Sequence, residues 1–259
     1  MKVRAYLVAR PQFDVKTFLE FLQDRGTSWQ QTLEATEPES IVEASGRICY
    51  MSFGDKQSPR GTSEYIRHLI AMGHESVLEH INWSFVVTGI SRALSHQLVR
   101  HRVGIAFSQL SQQYHDESDA RFSMPSQVRR NAQAAEEWEG AVVAAREAYQ
   151  RILKLLEGEE RSFSDKTGRR EFQRAIRSAA RSVLPNATET VVFMTANARA
   201  LRHIFTVRGG IVGDEEMRAL ASELLRHVQR EAPSLFFDFA IQTLADGSPI
   251  VCKVTSTTK

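Results

Sequence analysis

The sequence predicts an α+β fold, with helices packed around a small, mainly antiparallel sheet. Three observations carry this expectation. Helical periodicity dominates the chain, and the segments with strand composition, 2–9, 80–88 and 188–196, are few and scattered. The strict alternation of strand and helix that builds a doubly wound sheet is missing.

In chain order, residues 2–9 alternate enough to read as a first strand. Residues 15–24 and 39–50 read as helices, with Asp14 placed to cap the first. A helix over 63–72 should end at Gly73, where a left-handed residue is easy. The run HINWSFVVT at 80–88 is aromatic and β-branched, a strand that Gly89 should break. Ser91 is placed to cap a helix reaching about Arg102, and residues 103–114 read as irregular. The Ala- and Glu-rich stretch 127–157 is one long helix or two in tandem. A hydrophilic stretch, 158–169, separates it from a helix that must stop before Pro185. Residues 188–196 have strand composition, and 197–208 return to helical spacing, closed by Gly209-Gly210. A last helix covers 214–230, before Pro233. Without an internal repeat or low-complexity tract, the expected organisation is one domain over 1–259.

Composition narrows the classes of function. A length of 259 residues with 42% hydrophobic and 25% charged residues suits a globular protein that needs no staples. Net charge is only +2, so no global basic field suggests a nucleic-acid partner. Cys49 and Cys252 lie far apart and form neither a disulfide framework nor a zinc spacing, which fits a reducing, cytoplasmic setting. The start, MKVRAYLVAR, lacks a signal-peptide core, and no apolar run approaches the roughly 20 residues of a membrane span. The expectation is a soluble cytoplasmic protein with no membrane partner.

Three constellations carry chemistry. The helix from Ser91 should end in Arg100-His101-Arg102, with Gln97, Arg100 and His101 at i, i+3 and i+4 on one face. Guanidinium forks suit phosphate and uracil-type oxygens, yet cations at a helix C-terminus also simply complement its dipole. The following segment crowds Ser108, Gln109, Ser111, Gln112, Gln113 and Tyr114 together, a set able to cradle an anion or to form a polar surface loop. Ile105, Ala106, Phe107 and Leu110 within it argue for partial burial.

Farther on, Asn197, Leu201, Ile204 and Arg208 fall on one helical stripe, so Arg208 continues an apolar face. A charge there needs an acidic or oxygen-rich partner, either a ligand or a protein carboxylate. Gly209-Gly210 leaves room for close approach of something flat. The third constellation, GHESVLEH at 73–80, spaces its histidines six apart, unlike a helical zinc motif. Contacts to a cofactor, or a buried polar network, remain open for it. No Walker loop, nucleophile elbow or dinucleotide fingerprint competes, and Cys49 lacks the neighbours of a nucleophile.

Three ordered segments together resemble one family. RHR followed by a Ser/Gln-rich stretch ending in L-S-x-x-Y is similar to the R-H-R-x7-S-x-R-Y signature of the flavin-dependent thymidylate synthases. GHESVLEH and SVLPNATETVVFMTANARALRHIFTVR resemble the segments that flank it in that family. The resemblance implies the family's fold and a homotetramer whose sites draw on several subunits. It implies FAD as cofactor, NADPH as reductant and methylenetetrahydrofolate as carbon donor, with no enzyme nucleophile. Carried over by position, Ser76, Glu79, Arg100, His101, Arg102, Asn197 and His203 match FAD-binding positions. His74 matches the residue against which folate stacks on the flavin. Gln97, Arg100, Gln109, Ser111, Gln112, Gln113 and Arg181 match the nucleotide site, and Arg208 matches the arginine that polarises the uracil ring.

This sequence departs from the signature in two ways. The stretch VGIAFSQLSQQ between Arg102 and Tyr114 is one residue longer than usual, with Ile105 or Ala106 where a serine is customary. Gln113 also stands where an arginine is customary. Both changes fall on the nucleotide side of the signature. The expectation is therefore C5-methylation of a uracil nucleotide with UMP favoured, as in the atypical branch of the family serving polyoxin-type antibiotics. Ordinary dUMP methylation is the runner-up, and a catalytically impaired flavin- or nucleotide-binding protein is the reading of another class. An RNA-uridine methylase would need a basic face, which a net charge of +2 does not supply.

Overall fold

The computed structural model describes residues 2–57, 61–158 and 165–254. It is an α+β fold whose order is β1 (Arg4–Ala9), α1 (Val15–Asp24), α2 (Glu37–Ile48), α3 (Thr62–Ala71), β2 (Asn82–Ser91), α4 (Arg92–Leu98), β3 (Ile105–Gln109), α5 (Ser126–Arg129), α6 (Ala132–Glu157), α7 (Lys166–Ala180), β4 (Glu189–Asn197), α8 (Ala198–Val207), α9 (Glu215–Glu231), β5 (Phe239–Thr243) and β6 (Pro249–Lys253). A four-stranded sheet has the order β1-β2-β4-β3, and β5 and β6 form a separate antiparallel hairpin. The chain divides into two compact units. The first holds 1–4, 87–100 and 107–193; the second holds 5–86, 101–106 and 194–259.

Most helix starts are written locally. Asp14, Ser91, Asn131, Asp165, Asn197 and Asp214 each cap the helix that follows with a side-chain oxygen. Thr36 and Glu39 form a reciprocal capping box that starts α2 two residues earlier than its apolar pattern suggests. The Ala- and Glu-rich stretch proves to be two helices in tandem, α5 and α6. The separator at 158–169 falls partly outside the described residues.

Three expectations are corrected, and one element is added to those expected. Gly89 does not break its strand: β2 continues to Ser91 through a residue at φ +68°, where a Cβ would lie 2.4 Å from the Lys2 carbonyl oxygen. Helix α4 stops at Leu98, so Gln97, Arg100 and His101 do not share a helical face. Part of the supposedly irregular stretch 103–114 is the strand β3, because pairing to β4 overrides its polar composition (the Leu110 N–H donates to Val191 O, 2.9 Å). The β5–β6 hairpin was missed, although Asp246-Gly247 between two apolar runs signals it.

In the second unit, Trp83, Phe85, Phe205 and Phe236 are buried together with apolar residues of α8 and α9. Phe236 lies 5.8 Å from Phe205 and 6.0 Å from Trp83, centroid to centroid. A polar knot ties α2 to α3 within this unit. Glu43 accepts from Arg47 Nε at 2.7 Å, from Thr62 Oγ1 at 2.5 Å and from Trp29 Nε1 at 3.4 Å. Arg47 lies over the Tyr65 ring, 4.3 Å from its centroid. Helix α2 also packs against the 3-10 turn Glu75–His80, so the knot underpins the GHESVLEH segment. In the first unit, α6 and α7 pack through Tyr149, Leu153, Ile176 and Ala180.

Both Arg47 and Glu43 are 1% exposed, so removing one strands the other's charge. Glu43→Ala is expected to cost about 3–5 kcal/mol of folding stability, measured by urea titration. A cost below about 1 kcal/mol contradicts the assignment of this knot as a support.

Candidate active site

In the second unit, β4 passes directly into α8 at Asn197. Its Oδ1 accepts from Ala200 N at 2.8 Å as the N-cap, and its own N–H donates to Gly104 O at 3.0 Å. Gly104 has φ +72°, and a Cβ there would sit 2.5 Å from Asn197 Nδ2. Only glycine fits, because the backbone is left-handed and the space is filled. This clasp holds 101–106 beside α8.

The consequence is a cluster of three sequence-predicted residues. Arg208, the C-cap of α8, donates through Nε to His101 Nε2 at 3.2 Å, and His203 meets His101 edge-on at 5.7 Å between ring centroids. Leu201 and Ile204 on the same stripe are buried, as the periodicity predicts. Of the two partners the sequence left open for Arg208, a ligand or a protein carboxylate, the chain supplies no carboxylate among the described residues; its Nε meets the imidazole nitrogen instead. His101 is held below its ordinary value of 6.5, chiefly by burial and then by the charges of Arg208 and His203. The acceptor role of Nε2 requires the tautomer protonated at Nδ1.

The remaining residues of this half are open. His74, Ser76, Glu79, Arg102 and His203 are exposed. Glu79 Oε1 accepts from Arg199 Nη1 at 2.5 Å, and Glu75 lies 3.7 Å from Arg199 Nε. Among the described residues no partner holds Ser76 or the Arg102 guanidinium. Gly209 proves to serve packing: a Cβ there would lie 2.7 Å from Val251 Cβ, and the Val251 N–H donates to Gly209 O at 3.0 Å. What approaches that glycine is β6.

The first unit holds Gln97, Arg100, Gln109, Ser111, Gln112, Gln113 and Arg181. Gln109 Nε2 donates to Ser95 Oγ at 3.0 Å and Thr190 Oγ1 at 3.2 Å, so its amide is tied into the unit. Ser111 Oγ accepts from Gln113 N at 3.3 Å, and Gln112 is buried. Gln97 and Arg181 are half-buried, and Arg100 is exposed. Burial lowers the Arg92 pKa; the Glu117 charge opposes this and the Arg181 charge adds to it. Arg92 donates to Leu110 O at 2.9 Å and lies 3.8 Å from Glu117, whose carboxyl burial pushes up.

Sequence reasoning missed three basic residues here. Arg174 Nε donates to Gln113 Oε1 at 3.1 Å, Arg177 Nη1 donates to Tyr114 O at 3.0 Å, and Arg92 is described above. A signal existed for two of them: Arg170, Arg174, Arg177 and Arg181 repeat at i, i+4, i+7 and i+11, the same stripe that exposed Arg208.

Comparison with known proteins agrees in extent. The family model described as thymidylate synthase complementing protein matches residues 31–234. A flavin-dependent thymidylate synthase of Mycobacterium tuberculosis (strain H37Rv) is 40% identical over 249 residues, covering 96% of each chain. Proteins of the same name from Mycobacterium marinum and Mycobacterium sp. (strain JLS) are each 39% identical; the latter match covers 96% of this chain and 94% of that protein.

The depressed His101 pKa has a pH signature. As pH falls through 6.5 the unfolded chain takes up a proton that folded His101 still refuses. This group's contribution to stability is thus complete above that pH and is lost as pH falls through the folded value. An NMR titration should find His101 below 6.5, and Arg208→Gln should move it upward. Titration of native His101 above its ordinary value contradicts the contact.

Proposed function

We propose an activity for this chain from one premise, that it belongs to the flavin-dependent thymidylate synthase family. It is a FAD-dependent enzyme that methylates C5 of a uracil nucleotide 5′-monophosphate. The observation that carries this reading is Arg208, whose Nε is held by neutral His101 at 3.2 Å while its terminal nitrogens form a planar fork for a uracil oxygen.

The donor set of the second unit fits a flavin. Ser76, Arg102 and His203 present hydroxyl, guanidinium and imidazole groups to solvent, which suit phosphate and ring heteroatoms. When bound, FAD supplies the hydride that turns the transferred carbon into a methyl group, with NADPH as reductant and methylenetetrahydrofolate as carbon donor. Exposed His74 offers a flat face for the folate. Glu79, Arg102, Asn197 and His203 would hold the cofactor, with Asn197 acting through the clasp that fixes 101–106. Arg208 orients the uracil and draws electron density from it. Ser111, Gln112, Gln113 and Arg181 would seat the phosphate, and Gln97, Arg100 and Gln109 would complete the nucleotide-binding set.

The name of the relatives, thymidylate synthase, favours dUMP, the precursor of thymidylate, as substrate. We place UMP first because the stretch between Arg102 and Tyr114 is one residue longer than usual and Gln113 stands where an arginine is customary, both on the nucleotide side of the signature. The family match runs through both units, which supports one catalytic domain over 1–259. No helix among the described residues is long and apolar enough to cross a membrane. We place the enzyme in the cytoplasm, without nucleic-acid partners, as a homotetramer. Exposed Val191, Phe193 and Leu155 offer apolar surface for other copies to cover.

The purified protein should be yellow and oxidise NADPH when given nucleotide and methylenetetrahydrofolate. The ratio of kcat/KM for UMP and dUMP decides the sugar, and a preference for dUMP overturns the UMP reading. Arg208→Ala should lose about a hundred-fold or more in kcat/KM while retaining FAD. Light scattering should report four copies; a monomer at working concentration contradicts the tetramer.

A further inference from the structure

Gln113 is a hub in the first unit. Its Oε1 accepts from Arg174 Nε at 3.1 Å, and its Nε2 donates to Ser178 Oγ at 3.5 Å. The Arg174 guanidinium lies 5.8 Å from the Tyr114 ring centroid, and Arg177 donates to the Tyr114 carbonyl at 3.0 Å. Arg174 also meets Glu171 at 3.3 Å, but these side chains are 41% and 63% exposed. Such a solvated pair is weak and leaves the arginine's charge largely available. A second arginine at 113 would face Arg174 with no acceptor between them.

We propose that Arg174 supplies the phosphate-side charge that position 113 lacks, with Gln113 as the neutral clip that holds it at the loop. This rests on the reading of Ser111 to Tyr114 as the phosphate seat. Arg174 is then a binding residue for the nucleotide 5′-phosphate, contributed by α7 and not by the signature segment. Gln113 and Arg174 form one unit: an acceptor at 113 requires a cation at 174.

The test is steady-state kinetics of the full chain with UMP and dUMP. Arg174→Gln should raise the nucleotide KM at least about ten-fold, the effect of one charge-assisted hydrogen bond. It should leave kcat within about three-fold and weaken the salt dependence of KM. Arg174→Lys should retain most of the affinity. Gln113→Arg alone should not improve KM, whereas Gln113→Arg combined with Arg174→Gln should recover most of the loss. Flavin absorbance of each variant reports whether it has folded. If Ser111→Ala and Arg181→Gln raise KM while Arg174→Gln does not, the role of Arg174 is overturned and the phosphate seat stands. If none of the three raises KM, the phosphate seat itself is wrong and the proposal falls with it. Additive effects in the double variant overturn the clip.

Discussion

The clasp between Asn197 and Gly104 is the constraint on which the site depends. One side chain ends a strand, caps the helix that follows and closes over a glycine that has no room for a Cβ. The backbone bond from Asn197 N to Gly104 O fixes 101–106 against the start of α8. His101 is thereby brought to Arg208, which lies 107 positions away in sequence. Neither residue is placed by its own local sequence. A strand-to-helix junction sets both, on elements rigid enough to hold a binding geometry.

The electrostatics follow from that placement. Burial first, and then the guanidinium beside it, holds the His101 pKa below its ordinary value, and a neutral ring with a free lone pair is the acceptor that Arg208 Nε requires. A carboxylate in the same place would have neutralised the arginine. His101 thus orients Arg208 without cancelling its charge. In the first unit the same economy recurs with an amide, since Gln113 accepts from Arg174 and carries no charge of its own.

Much of this was legible from sequence, for identifiable reasons. Two helix starts were readable because Asp14 and Ser91 bond backbone groups within three residues; Asn197, read from spacing as part of its helix, proves to be a cap of the same kind. The burial of Leu201 and Ile204 was readable from period alone. The short α4, the strand β3 and the partner of Arg208 were not, because each depends on pairing with segments far along the chain. The expectation that Arg208 needs an acidic or oxygen-rich partner did not foresee that, within the chain, its Nε donates to an imidazole. Gly209 misled because a glycine made for close approach reads the same whether a ligand or β6 approaches. Arg174 was overlooked because it lies outside the signature, although its helical spacing with Arg170, Arg177 and Arg181 was visible.

The central claim is that this scaffold holds a uracil nucleotide for methylation at C5. It is tested most directly by supplying carbon-13-labelled methylenetetrahydrofolate and NADPH to the FAD-loaded protein with UMP or dUMP, and reading the product by NMR and mass spectrometry. The account predicts a labelled methyl group on C5 of the base. Recovery of unmodified nucleotide, or of label at any other position, contradicts it.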